Sequence, residues 1–268
     1  MKKMSSTYNR FRALHPWLVI LPVFIIVPIY FLWNRGIQWH WFSGSLFCFF
    51  LFDSLGIEIG VHKLLCHRSF STLKIWTNVL AFLSIFAGQG SPLLWVAVHM
   101  GSHHPYSDTE RDIHSPVHGR FYSFIAWYWR ANTKKISFLT IREYIGNGFL
   151  QFLHQHHSAM LITYWALLLA AGGVKAWVYL GLLPAAMSIS MVGLVNSCMH
   201  SSGGISDFIF LKYKNYSGDN TYNSLLLGFL TMGLGYHNNH HQHPARSNYG
   251  VRWFEVDPSN IIISLIKR

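Results

Sequence analysis

Long stretches without a single Asp, Glu, Lys or Arg are the feature that most constrains how this chain can fold. No charged residue occurs in Trp17 to Trp33, in Gly36 to Phe52 or in Ala176 to Ser206. A helix needs about 20 apolar residues to cross the core of a bilayer. Charged residues make up only 12% of the chain, against roughly 25% in soluble domains, which is too few to cover a water-exposed surface. The sequence therefore predicts an all-α integral membrane protein.

We expect four transmembrane helices in two hairpins, with a cytoplasmic helical cap that carries most of the histidines. The predicted spans are residues 15–33, 39–60, 158–174 and 176–198. The predicted cytoplasmic regions are residues 61–157 and 199–268. In this interpretation the whole chain, residues 1–268, is a single membrane-embedded domain.

The positions of the basic residues predict the orientation of this arrangement. Of the 21 Lys and Arg residues, four lie in residues 1–12, nine in 63–142 and six in 212–268, all on the side of the termini. Only Arg35 and Lys175 fall on the opposite side. Because loops rich in Lys and Arg stay in the cytoplasm, we expect cytoplasmic termini in a multi-pass protein of a bacterial inner membrane. The net charge of +11 then reflects topology and predicts no nucleic-acid partner.

Histidine is the second unusual feature, with 17 residues in a chain that otherwise avoids charge. Nine of them form four clusters on the predicted cytoplasmic side: His62, His67, His99, His103, His104, His200, His237, His240 and His241. Nine imidazoles exceed what one ion can use, since a zinc site takes about four ligands. The count therefore predicts two metal ions. Imidazole suits iron, copper, zinc and nickel alike, so the ligand type does not choose among these metals.

The spacing within the clusters indicates how they are presented. His237, His240 and His241 follow an i, i+3, i+4 pattern, which places them along one helical face. His62 and His67 are five residues apart, about 140° around an ideal α-helix, so we expect the helix to end or bend there. Five further histidines are interpreted as interfacial residues outside the site: His15, His40, His154, His156 and His157.

The apolar stretch from Leu73 to Val98 resembles a fifth span, but a shared metal site argues against one. If His67 and His99 bind one centre, the chain between them must cross the membrane an even number of times. The 31 residues that intervene are too few for two spans. We therefore expect an interfacial or re-entrant element that caps the site.

The segments around these histidines resemble the histidine boxes of the membrane fatty acid desaturases, and within that family the acyl-CoA desaturase-like, delta-9 type branch. The resemblance runs from about Gly56 to Pro258. It rests on HKLLCHRSF, HMGSHHPYSDTERDIHSP, NSCMH and GYHNNHHQHPARSNYGVRWFEVDP, which contain all nine clustered histidines.

In that family the boxes hold a non-haem di-iron centre, which activates dioxygen and removes two hydrogens from a saturated acyl chain. The resemblance implies that the nine histidines are iron ligands, with two iron ions as cofactor and dioxygen as co-substrate. It implies that Asn196, four residues before His200, holds a water near one iron. The implied substrate is a fatty acyl chain, as acyl-CoA or acyl-lipid, lying in a long apolar tunnel.

Some positions depart from the family pattern. Three residues rather than two follow His99 before the next pair of histidines, Leu234 stands where a glutamate is usual, and Lys63 where an arginine is usual. Glu58, four residues before His62, can orient that imidazole in compensation. These departures leave the di-iron prediction in place and leave the substrate and the reaction outcome open.

Asp53 is a further candidate, nine residues before His62 in the second predicted span. An ionisable residue within a span costs on the order of 2.5–3.5 kcal/mol on insertion scales, so a functional role is the default hypothesis. The resemblance places this span at the far end of the acyl tunnel. We therefore expect Asp53 to face the tunnel end and to favour a short chain or a polar terminus. The structural alternative is a hydrogen bond to a neighbouring helix.

Electrons for the reaction must come from outside, because the chain has neither a CxxC pair nor a GxGxxG fingerprint. A ferredoxin, a rubredoxin or a b-type cytochrome with its reductase is the expected donor, and the basic cytoplasmic face suits an acidic partner. The alternative function is a membrane di-iron hydroxylase, ketolase or acetylenase on a lipid-like substrate. A histidine-rich metal transporter is the least favoured, because its ligands would line a path through the spans.

Overall fold

The computed structural model describes residues 21–132 and 135–268, and this part of the chain is helical, with isolated bridge pairs but no extended strand. The helices of the membrane part and the first box region are α1 (Leu21–Arg35), α2 (Trp39–Cys66), α3 (Lys74–Ala87), α4 (Pro92–Tyr106), α5 (122–130), α6 (Gly148–Ala176) and α7 (177–199). The short helices of the C-terminal part are α8 (Ile205–Ile209), α9 (Leu225–Leu230), α10 (His237–Gln242) and α11 (Pro258–Ile266).

Two helical runs in the described residues are long and apolar enough to cross a membrane, namely Trp39–Cys66 and Gly148–Met199. A third candidate exists if α3 and α4 count as one broken span, and these two helices meet at an angle of 81°. That bend fits either a broken span or a re-entrant loop. Part of the first predicted span lies outside the described residues, and α1 is its described part. The apolar helices indicate membrane association, and the count of four spans stays a prediction.

The run Gly148–Met199 folds back on itself at Gly173. Gly173 has φ 64° and ψ −163°, a conformation that glycine adopts readily because it has no Cβ. The hydroxyl of Tyr164 donates to the carbonyl oxygen of Leu180 at 2.9 Å, although 16 residues of straight helix would separate them by about 24 Å. The run is therefore a hairpin of α6 and α7.

Helix α6 begins earlier than the predicted span at residue 158. The side chain of Asn147 accepts hydrogen bonds from the backbone amides of Phe149 and Leu150 and so caps the helix that starts at Gly148. No proline or glycine interrupts the sequence from there to Gly172, which explains the longer helix. The HQHH segment consequently lies within α6 rather than at its start.

Close packing of α2 against α3 and α4 positions the histidines. A Cβ on Gly56 would lie 2.5 Å from the backbone nitrogen of Ser84, so the two helices touch at this glycine. In the C-terminal half of α2, the ammonium of Lys63 donates to Asp257 at 2.7 Å and to the carbonyl oxygen of Ser247 at 2.9 Å. The fully buried Lys63 thus fastens the C-terminal segment to the helix that carries His62.

Candidate metal centre

Three of the histidine clusters lie in, or directly after, a stretch of helix whose backbone hydrogen bonds join residues five apart. These wide turns occupy Phe50–Cys66 in α2, His99–His103 in α4 and Val195–Met199 in α7. Such turns are rare and occur frequently at functional sites. Compared with an α-helix, this winding changes the face of the helix on which each histidine side chain lies.

The wide winding explains how His62 and His67 come together. The backbone amide of His67 donates to the carbonyl oxygen of His62 at 3.1 Å, which places the two residues on consecutive turns. Their ring centroids are 4.8 Å apart. The helix does end at Cys66, as expected, but the estimate of 140° between the two side chains was wrong because it assumed α-helical winding.

The first group of imidazoles consists of His62, His67, His99 and His240, whose possible ligand atoms all lie within 4.8 Å of one another. The Nε2 atoms of His67 and His99 are 2.8 Å apart, and those of His62 and His240 are 3.3 Å apart. All four residues are buried. This is a convergent set of nitrogen donors of the kind that a metal ion needs.

The second group consists of His103, His200, His237 and His241, with the same limit of 4.8 Å between ligand atoms. The Nε2 atoms of His200 and His237 are 2.7 Å apart. The Nε2 atoms of His103 and His241 are buried without a hydrogen-bond partner among the described residues. Buried polar atoms without a partner are rare in native proteins and call for an explanation such as a bound ion.

His104 lies between the two groups. Its Nε2 atom is 3.0 Å from that of His240, and its ring centroid is 4.7 Å from that of His241. The structure therefore brings all nine clustered histidines together. Eight of them form the two groups of four, and His104 contacts a member of each group.

Carboxylates contact the outer nitrogen of four of these imidazoles. The Nδ1 atoms of His62, His103, His200 and His241 lie 2.8 Å from Glu58, 2.9 Å from Asp112, 2.9 Å from Asp108 and 3.4 Å from Asp219 respectively. A carboxylate at Nδ1 favours the tautomer with its proton on that atom, which leaves the Nε2 lone pair free to bind a metal. The four carboxylates therefore favour the imidazole tautomer that can bind a metal through Nε2.

The ionisation of the C-terminal histidines fits the same role. Burial lowers the pKa of His237 and of His240 well below the usual range, and the neighbouring imidazoles lower it further. Metal ligation requires neutral imidazole. At neutral pH these two side chains are consequently in the form that binds metal.

The sequence analysis missed Asp108, Asp112, Asp219 and His114. His114 is buried, and its ring centroid is 4.5 Å from that of His103. A usable signal existed for the acids, because the whole chain has only 10 Asp and Glu residues. Because acidic side chains are so scarce in this chain, those in or near the histidine boxes are candidates for contacts with imidazole.

The histidines interpreted as interfacial lie apart from both groups where they are described. His154 is buried with its Nδ1 atom 2.5 Å from the hydroxyl of Ser91, and His157 bonds to the carbonyl oxygen of His154. The ring of His156 packs on Phe152. His40 lies near the start of α2, at the other end of that helix from His62, and His15 is outside the described residues.

Comparisons with known proteins agree with this arrangement. Residues 39–258 match the family model described as fatty acid desaturase. The chain belongs to the fatty acid desaturase family. The sn-1 stearoyl-lipid 9-desaturase of Anabaena variabilis is 30% identical over 91% of this chain and 85% of its own length. The delta-9 desaturase-like 5 protein of Arabidopsis thaliana is 29% identical over 94% of this chain and 83% of its own length.

A third relative, the icosanoyl-CoA 5-desaturase of Limnanthes douglasii, is 29% identical over 93% of this chain and 67% of its own length. These matches identify the chain as a delta-9-type member of the family and as an oxidoreductase of the fatty acyl desaturase class. The expected resemblance is confirmed.

A largely apolar cavity in this desaturase reaches both groups of histidines. His99 of the first group and His103 and His237 of the second lie on its wall. The rest of the lining is mostly apolar or aromatic. It comes from α4, α5, α7, the segments between them and the turn before α10: Leu94, Trp95, Val98, Ile113, Trp127, Tyr128, Ala131, Ile136, Val192, Val195 and Leu234. An apolar cavity beside side chains that could hold a metal ion fits a fatty acyl substrate.

Two further residues predicted from the sequence, Asn196 and Asp53, differ in whether they line the cavity. Asn196 is buried and lines it. Asp53 is not among the lining residues; it accepts a hydrogen bond from the hydroxyl of Ser188 at 2.5 Å, and the amide of Gln89 lies 3.4 Å away. Because Gln89 does line the cavity, Asp53 is one contact removed from it. The hydrogen bond to a neighbouring helix, the structural alternative, is present.

Proposed function

We propose that this protein is a dioxygen-dependent di-iron desaturase, which introduces a double bond into a fatty acyl chain carried as acyl-CoA or acyl-lipid. The observation that carries the proposal is the pair of buried imidazole groups, each with four convergent nitrogens, beside an apolar cavity. A second support is the set of relatives named as desaturases.

The donor atoms fit two iron ions. His62, His67, His99 and His240 would hold one, His103, His200, His237 and His241 would hold the other, and His104 lies between the two. Neutral imidazole suits iron, and the unpartnered Nε2 atoms of His103 and His241 gain a partner when metal binds. Bound iron would supply the activation of dioxygen that removes two hydrogens from adjacent methylenes.

The residues of the chain itself select the substrate and arrange the site. The apolar lining excludes water and holds methylenes, which offer no polar handle, beside His99, His103 and His237. The position of the double bond is then set by how far the acyl chain enters. Glu58 holds the imidazole of His62, and Asn196 holds a water at the cavity wall.

Formation of an alkene from two methylenes removes two electrons, whereas reduction of dioxygen to two waters takes four. Two electrons and two protons must therefore be supplied by a donor outside the chain. We propose a ferredoxin, a rubredoxin or a b-type cytochrome with its reductase, docking on the basic cytoplasmic face. The proposal includes four spans in a bacterial inner membrane, with both termini and the site in the cytoplasm.

Expression in a host that lacks its own desaturase, followed by fatty-acid profiling, tests the function. We expect a new monounsaturated fatty acid that forms only with dioxygen present. It should be absent with His240→Ala and unchanged with His156→Ala, a histidine exposed on α6. A hydroxylated product in place of the alkene would identify the alternative di-iron function.

A further inference from the structure

A second cavity lies at the opposite end of the molecule from the histidines. It has a volume of about 930 Å³, within the range of ligand pockets. The turn between α1 and α2 and the turn between α6 and α7 form its wall: Tyr30, Phe31, Asn34, Arg35, Gln38, Gly172, Gly173, Val174 and Lys175. No role in the desaturase reaction uses this cavity.

The cavity carries two cations and no lining carboxylate. Arg35 and Lys175 are both exposed on its wall, and no Asp or Glu lines it. Neither cation forms an ion pair with any residue of the described part of the chain. Two unpaired cations at one concave surface favour an anionic ligand.

The position of the cavity along the spans indicates where that ligand comes from. Trp39 starts α2, and His62 follows 23 residues later on the same continuous helix, which is longer than the roughly 20 residues that a bilayer core requires. Trp33 and Trp39, which flank the turn that forms one wall of the cavity, are 88% and 71% exposed. Exposed tryptophans at helix ends are typical of the membrane–water interface. The cavity therefore lies at the interface of the leaflet opposite the metal site.

We propose that this cavity binds the phosphate of an anionic phospholipid from that leaflet, between Arg35 and Lys175. The guanidinium of Arg35 offers paired N–H donors that match a phosphate, and the carboxamide of Gln38 has no capping hydrogen bond to occupy it. Phe31 and Val174 give the apolar wall that the acyl chains of a lipid contact. The inference rests on the proposed span arrangement but not on the proposed chemistry.

Thermal unfolding of the purified full-length protein in a neutral detergent tests the site through its tryptophan fluorescence. Added phosphatidylglycerol should raise the Tm of the wild type more than phosphatidylcholine does. In the double variant Arg35→Gln/Lys175→Gln this extra shift should fall by more than half. The charge-preserving pair Arg35→Lys/Lys175→Arg should keep it.

A matched control removes two exposed cations from the other side of the molecule, in Arg142→Gln/Arg246→Gln, and should leave the shift intact. An equal phosphatidylglycerol shift in wild type and Arg35→Gln/Lys175→Gln would overturn the proposal. Inorganic phosphate alone distinguishes the other source. If it reproduces the full shift and the double variant loses it, the site takes free phosphate, and the lipid assignment is wrong. Desaturase turnover should be unchanged in the double variant, so this test fails or succeeds independently of the reaction.

Discussion

The Nδ1 atom of His62 lies 2.8 Å from Oε2 of Glu58, one turn earlier on the same buried helix, while its Nε2 atom lies 3.3 Å from that of His240. One carboxylate thus holds an imidazole whose other nitrogen points at another member of the first group. Loss of such a partner reduces metal affinity by about 10–100-fold in known sites. We therefore expect Glu58→Ala to bind iron about 10–100-fold more weakly, measured by competition with a chelator.

Two controls separate orientation from general damage. Glu58→Gln keeps an oxygen that can accept from Nδ1 and should retain more iron than Glu58→Ala. Glu110→Ala removes an exposed carboxylate from the loop after α4 and should behave as the wild type. Equal iron affinity in Glu58→Ala and the wild type would show that this contact does not tune the site.

The second group allows an independent prediction. Asp108 lies 2.9 Å from Nδ1 of His200 in the second group, whereas Glu58 contacts His62 in the first group. Asp108→Ala should therefore weaken the binding of iron at the second group and leave the binding at the first group unchanged. Mild chelation should then leave about one iron per chain. Simultaneous loss of both irons at the same chelator concentration would contradict two separately supported centres.

The nine histidines could be selected from the sequence because metal sites often use several imidazoles. Most of these histidines are close together along the chain, so their clustering is visible without knowledge of the fold. The wide helical turn at His62 and His67 could not be read in the same way. Its hydrogen-bond pattern depends on packing such as the contact of Gly56 with Ser84, which joins residues far apart in the chain. Local spacing alone therefore gave the wrong angle between two residues whose ring centroids the structure brings to 4.8 Å of each other.

The carboxylates around the site show the same limit. Glu58 was within one helical turn of its imidazole, so its contact could be anticipated from spacing. Asp108 and Asp219 reach His200 and His241 through loops, and nothing in the sequence fixes where a loop returns. The start of α6 at Gly148 was missed for another reason, because polar histidines were taken to end an apolar helix.

Asp53 supports a prediction about chain length. It bonds to Ser188 and approaches Gln89, which lines the cavity, so the size of the side chain at residue 53 should influence the cavity end. We expect Asp53→Ala to shift the products to longer acyl chains and Asp53→Leu to shorter ones, measured by fatty-acid profiling. Asp53→Asn keeps the size and the hydrogen bonds and should leave the profile unchanged. An unchanged profile in all three variants, with lower protein yield, would make Asp53 a packing residue.

The proposed topology predicts which cysteines are labelled from which side. In a background without native cysteines, Ser5→Cys and Ser202→Cys should react with an impermeant reagent only from the cytoplasm, and Asn34→Cys only from the opposite side. Ser202 and Asn34 are exposed, so access is not limited by burial. Labelling of Gly90→Cys from the far side would make α3 and α4 a complete span and would contradict the placement of both histidine groups on one side.

The central claim is that the nine clustered histidines hold two irons, and the iron content of the purified protein tests it most directly. Wild type and His156→Ala should each contain close to two irons per chain and should desaturate normally. His240→Ala should lose iron and activity together, because His240 contributes to the first group and adjoins His104. A full complement of iron with normal turnover in His240→Ala would contradict the account.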